Sequence, residues 1–310
     1  KKKIMSKIFR DPKELKKEVE FFVESSKTLF PKEISIEKVF EGCLWAEGPI
    51  FLKEKNLIVW SDIPYNRMLY YNLSNDKTGV YRHPSHFSNG NSLDLEGLMI
   101  TAEHGRRAVS RTDNDGNVEI LTNRVDGKKY NSPNDLVCKS DGSIWFTDPQ
   151  YGIMSNHEGY ESRSETIYNG VYMMDGRNEI KLLTSEIDAP NGIAFSPDEK
   201  IIYITDTGET GNIFSYDVED NSLKNKKVFA TPRPGKPDGI KVDENGNLFS
   251  SAWDGVQIFS PKGELLAKIQ IPEQRTANLC FGGENFDYLF IASDKSLYKI
   301  KLQTKGNKVD

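Results

Sequence analysis

The chain has 310 residues, 37% hydrophobic and 28% charged, with a net charge of −5. That balance carries no basic footprint for nucleic acid, and no run of 18 apolar residues offers a membrane-spanning helix. Three cysteines, Cys43, Cys138 and Cys280, are odd in number and far apart, so they read as buried free thiols rather than a disulfide framework.

Residues 1–33 form an N-terminal extension. Lys1-Lys2-Lys3 looks like a signal n-region, but Ile4-Met5-Ser6-Lys7 breaks off before any apolar h-region. The expected location is therefore cytoplasmic, with a leader removed before residue 1 and periplasmic export as the alternative. Asp11-Pro12-Lys13-Glu14 predicts a helix start, because Asp11 can cap, Pro12 suits the first helical position and Glu14 suits the helix dipole. Leu15, Val19, Phe22 and Val23 would share its apolar face, packed on the outside of the body. Ile34 to Phe40 alternates and reads as a strand that closes the last repeat.

From there one unit recurs six times: a polar residue, a short apolar run, a turn, and a β-branched or aromatic strand. The units open at Glu47, Asn91, Asn134, Asn191, Asp238 and Asn278, at intervals of 44, 43, 57, 47 and 40 residues. Such a period, with several short strands per repeat, predicts an all-β protein, a six-bladed β-propeller spanning residues 34–304 with a polar tail at 305–310. In a propeller the first strand of each blade lines the channel, so the six opening residues would form a ring of carboxylate and amide oxygens. Such a ring suits a cation or a polar ligand. The plainer alternative is that Asn and Asp shape the turn entering each strand, although Glu47 is a poor turn residue.

The second unit ends in Glu103-His104-Gly105-Arg106-Arg107, at the same rim, where it could hold hydroxyls or an oxyanion or be a solvated charge cluster. His83, His86 and His157 fall at no metal-ligand spacing. The 57-residue interval leaves a long Gly-, Ser- and Tyr-rich stretch, residues 149–170, that could fold over the channel mouth through Tyr151, Tyr160 and Arg163.

Glu47-Gly48-Pro49, Ser132-Pro133-Asn134-Asp135, Pro190-Asn191-Gly192-Ile193 and Pro237-Asp238-Gly239-Ile240 resemble segments of the gluconolactonase / senescence marker protein / luciferin-regenerating enzyme family. Glu103 to Arg107 resembles its bacterial gluconolactonase branch. The resemblance covers residues 40 to 300 and implies a six-bladed propeller with one divalent metal held by Glu47, Asn191 and Asp238. It also implies that Asn134 contacts the substrate or metal-bound water. Some animal members carry an Arg where this chain has Ser132, so His104 and Arg106 are the expected replacements toward the substrate, and Asn91 is a further expected substrate contact. The implied ligands are all oxygen, which suits Ca²⁺ first, then Mg²⁺ or Mn²⁺, with Zn²⁺ less expected. The function implied is metal-dependent hydrolysis of a sugar 1,4- or 1,5-lactone with Asp238 as general base. Phosphotriester hydrolysis at the same site, or a non-catalytic propeller with a structural metal, are the alternatives. A monomer or dimer is expected, with a small-molecule lactone as partner.

Overall fold

The computed structural model describes residues 18–308. Six antiparallel sheets form the blades of a propeller, five of them four-stranded and the fifth blade five-stranded. Their inner strands are Ala46–Leu52, Ser88–Leu93, Leu136–Cys138, Pro190–Phe195, Ile240–Val242 and Thr276–Gly282, each neighbouring the next in a closed ring. Ring closure comes from Ile36–Glu41, which pairs antiparallel with Ser296–Lys301 and supplies the outer strand of the sixth blade. That pairing removes an exposed edge, as the alternation of Ile34 to Phe40 suggests.

The N-terminal helix is not what the described residues contain. Its predicted start at Asp11 lies outside them. Val19–Phe21 is instead a strand, added as a fifth member to the fifth blade against Leu265–Gln270, and Glu24–Leu29 is a short 3-10 turn. The physical reason is tertiary. The blade edge offers unpaired backbone groups, and Gln270 N–H donates to Glu18 O at 2.8 Å while Phe22 N–H donates to Leu266 O at 2.9 Å. Val19 buries its side chain there and Phe21 meets Phe30 edge-on at 5.4 Å, so pairing outweighs the helical periodicity.

The core lies between blades. Each gap has its own apolar cluster, from Ile50, Val59, Met68 and Met99 between the first two blades to Trp60, Leu69, Phe290 and Leu297 between the sixth and first. Cys43, Cys138 and Cys280 are buried free thiols; burial raises Cys43 and Cys280 to about 12 and Cys138 to about 11, so they stay neutral. Trp145 joins the third and fourth blades: its ring meets Phe195 edge-on at 5.0 Å and its Nε1 donates to Ser143 Oγ at 2.8 Å. Trp145→Ala is expected to cost about 3–5 kcal/mol in urea unfolding. A loss below about 1 kcal/mol would show that the blades do not depend on this interface.

Candidate active site

The second strand of several blades ends in a Ser/Thr–Asp pair, and these pairs build the channel mouth. Ser61 Oγ donates to Asn89 O at 2.7 Å, Thr147 Oγ1 to Asn191 O at 2.7 Å, and Thr205 Oγ1 to Asp238 O at 2.8 Å. Each hydroxyl thus fixes the backbone of a residue on the next blade. The Asp beside it ties the loop entering its own blade: Asp62 accepts from Leu44 and Trp45 N–H, Asp148 from Asn131 N–H, and Asp206 from Ala189 N–H.

The inner strands begin with bulges, marked by register shifts between Glu47 and Ile50, Ser88 and Asn91, Pro190 and Ile193, and Thr276 and Asn278. The residue after the site position is often glycine because adjacent blades approach closely there. A Cβ at Gly48, whose φ is +50°, would fall 2.0 Å from Asn89 O, and one at Gly192 would fall 2.3 Å from Asp238 O.

Glu47, Asn89, Asn134, Asn191 and Asp238 line one cavity of about 180 Å³. Trp45 and Ile63 form an apolar wall, and Arg275, stacked on the Trp253 ring at 4.4 Å, brings a cation to the lining. Of nine buried side-chain polar atoms without a hydrogen bond among the described residues, four are acceptor oxygens of this cavity: Asn89 Oδ1, Asn134 Oδ1, Asn191 Oδ1 and Asp238 Oδ1. Asn191 is aimed by its own amide, whose Nδ2 donates to Thr207 Oγ1 at 2.9 Å. Glu47 Oε2 accepts from Gly48 N–H at 2.6 Å and from Asn278 Nδ2 at 3.0 Å, and its carboxyl hydrogen-bonds that of Asp238.

Two carboxyls so buried and so close resist ionisation together. Burial, then the Asp135 charge, pushes Glu47 up to about 7; burial, then the Glu47 charge, raises Asp238 well above the usual range. Unsatisfied acceptors beside such a pair are what a hard divalent cation fits, since it takes oxygen ligands and favours the charged carboxylates. Among the described residues no three His, Cys, Asp or Glu side chains converge, so any cation here would rest on the two carboxyls and the amide oxygens.

The other sequence candidates stand elsewhere. Asn91 does not line the cavity: its Nδ2 donates to Gly48 O at 2.8 Å and its Oδ1 accepts from Thr101 Oγ1 at 2.7 Å, a staple between blades. Asn278 lies behind Glu47, its Nδ2 also donating to Asp135 Oδ2 at 3.1 Å. Arg106 is turned onto Glu103, with two 2.6 Å bonds to that carboxylate. His104 is buried, with Nε2 3.2 Å from Asn89 Nδ2 and Nδ1 2.9 Å from Glu158 O. Burial lowers it to about 4 despite the Glu158 bond, so it is neutral at pH 7.

Sequence reasoning missed Asn89. Aligning the repeats on the residue before a glycine, as in Glu47-Gly48, Asn89-Gly90, Asn191-Gly192 and Asp238-Gly239, would have found it. The bulge in the second blade moves the lining position two residues ahead of Asn91.

The long connection of the third blade does lie against the mouth. Tyr151 and Glu158 line the cavity; Tyr160 packs edge-on against Phe87 at 5.3 Å, and Arg163 engages by its carbonyl, which accepts from Arg107 Nη2 at 3.3 Å. Ser132 has a structural use here: its Oγ donates to Pro149 O at 2.6 Å and accepts from Gly152 N–H at 2.9 Å, pinning the base of the loop.

Fold and site together define a β-propeller that gathers acceptor oxygens at the mouth of its central channel. Residues 45–295 match the SMP-30/Gluconolactonase/LRE-like region, and the chain belongs to that family. The gluconolactonase of Zymomonas mobilis is 32% identical over 297 residues, spanning 87% of this chain and 82% of that relative. Pentonolactonase XacC of Haloferax volcanii is 24% identical over 260 residues, 81% of this chain and 82% of the relative. The solved gluconolactonase of Xanthomonas campestris superposes with a TM-score of 0.88 at 32% identity, over 92% of this chain and 95% of that one.

The raised carboxyls set a pH dependence. Folding favours the neutral form of Glu47, so its contribution is complete below the ordinary 4.5 and is lost as pH climbs through about 7. Asp148, pushed to about 8 by burial, acts with the same sign. At Asp141, burial's upward push is outweighed by bonds from Ser143 and Asn221; it sits at about 2, so its opposite contribution falls outside this window. His104, lowered to about 4 by burial, also acts in the opposite sense up to its ordinary 6.5, but is one group against Glu47, Asp238 and Asp148. With chelator present, the melting temperature is therefore expected to fall between about pH 5 and pH 8, and Glu47→Gln to flatten the slope. A melting temperature that rises over that range would contradict the burial assigned to these carboxyls.

Proposed function

We propose that this protein is a metal-dependent lactonase that opens a sugar lactone of the 1,5- or 1,4-aldonolactone kind to the aldonic acid. Family membership and the likeness to gluconolactonases support lactone hydrolysis. The observation that carries the metal dependence is the set of unpartnered oxygens on Asn134, Asn191 and Asp238 beside the Glu47 carboxyl.

In this reading Glu47, Asn191 and Asp238 hold the cation, with calcium the first choice for oxygen donors. Bound there, a divalent cation would polarise the lactone carbonyl and acidify water beside it. The chain's own residues do the rest. Asp238 holds the cation through the unpartnered Oδ1, and its second carboxyl oxygen takes a proton from the attacking water as the oxygen of that water bonds the carbonyl carbon. When the ring C–O bond breaks, that proton passes to the departing hydroxyl oxygen. Glu47, held by Gly48 and Asn278, keeps the paired carboxyl fixed opposite. Asn134 accepts from a substrate hydroxyl, and Arg275 on its Trp253 platform faces the carboxylate that forms. Tyr151, Ile63 and Trp45 narrow the mouth and reduce the water that reaches the reacting ester.

Proton release from a panel of aldonolactones, after chelator treatment and resupply of single metals, tests this directly. Metal-restored acid production above the spontaneous rate is expected, with Glu47→Gln and Asp238→Asn each lowering kcat about 100-fold or more while melting cooperatively. Unimpaired hydrolysis by both variants would remove the roles assigned here.

A further inference from the structure

Asn89 is 3% exposed, yet its Oδ1 accepts no hydrogen bond and faces the cavity. An asparagine amide can present either end, so something must hold it this way. His104 does so through a relay with one consistent hydrogen assignment. The Glu158 carbonyl can only accept, so His104 Nδ1 carries the hydrogen of that 2.9 Å bond. Neutral His104 then has Nε2 free to accept from Asn89 Nδ2 at 3.2 Å, which turns Asn89 Oδ1 toward the cavity. Gly152 lets the long loop close on this ring, since a Cβ there would sit 2.4 Å from His104 Cγ.

Asn89 and Asn134 stand on the second and third blades, whereas Glu47, Asn191 and Asp238 come from the first, fourth and fifth. The geometry points to Asn89 as a specificity-determining residue whose Oδ1, paired with that of Asn134, accepts from the hydroxyls of a polyhydroxylated ligand, with His104 as its positioning residue. This rests on the lactonase reading above. A buried acceptor wall favours ligands that bring donors and rejects those that cannot, because an unmet buried oxygen is costly. The long loop is part of the selectivity because the Glu158 carbonyl starts the relay.

Calorimetric titration of D-gluconate and of 5-hydroxypentanoate into the calcium-loaded full chain separates the hydroxyl-dependent part of binding. Hydrolysis of 1,5-gluconolactone and δ-valerolactone is followed in parallel. Asn89→Leu and His104→Leu are each expected to lower the affinity preference for gluconate about tenfold. Calcium affinity, titrated alone, should stay within about twofold, and His104→Gln should restore the preference, because its amide can both donate to Glu158 O and accept from Asn89. Should His104→Leu fail to fold, Asn89→Leu and His104→Gln decide the matter. An unchanged preference in Asn89→Leu overturns the proposal. Calcium binding weakened about tenfold by the same change also overturns it, making Asn89 a cation donor instead. If the unaltered protein turns over neither lactone, the lactonase reading fails, while the gluconate preference still decides the role of Asn89.

Discussion

The structure depends on keeping several oxygen acceptors out of water without giving them partners. Asn89, Asn134, Asn191 and Asp238 each bury an acceptor atom with no hydrogen bond, and Glu47 adds a carboxyl in contact with that of Asp238. Burying such groups is unfavourable by roughly 1–3 kcal/mol for each neutral one and more for a charge. A chain tolerates that only where its scaffold holds the groups against turning back to solvent or to one another. The raised Glu47 and Asp238 carboxyls are the electrostatic record of the same constraint.

The scaffold that resists is made of small, repeated ties. Ser61, Thr147 and Thr205 reach from the second strand of one blade to the backbone of a lining residue on the next, so the mouth is fixed across blade boundaries. Because each lining residue is anchored by its main chain, its side chain needs few further bonds, and one oxygen can be left facing inward. The glycines behind the lining residues serve the same end by letting neighbouring strands approach closely. The apolar clusters between blades hold those strands at the distance the ties require.

The long connection of the third blade is layered on this rigid frame. Ser132 pins its base and the Glu158 carbonyl meets His104, so the loop reaches the cavity both directly, through Tyr151 and Glu158, and indirectly, through His104 and Asn89. A residue that resembles a substrate contact in the sequence thus acts at one remove. His104 shapes the site by deciding which end of an amide faces the cavity.

Strand periodicity and turn residues are local signals, so the sequence by itself determined the six repeats, a closing strand within residues 34–41 and a ring of polar opening residues. Of that ring, Glu47, Asn134, Asn191 and Asp238, the ones the family resemblance singles out, line the cavity while Asn91 and Asn278 do not. The sequence did not determine which polar residue of each inner strand faces the cavity. A bulge adds a residue without changing composition, so Asn91 and Asn89 look equally apt until the pairing with Met99–Glu103 is known. Nor could it foresee that Val19–Phe21 would extend the fifth blade rather than a helix, because the free edge that recruits it belongs to Leu265–Gln270, far along the chain. Arg106 turning onto Glu103, and His104 acting behind Asn89, were likewise decided only by tertiary structure. Side-chain direction there is set by burial and by partners brought in from other blades and from the long loop, and local sequence carries no record of them.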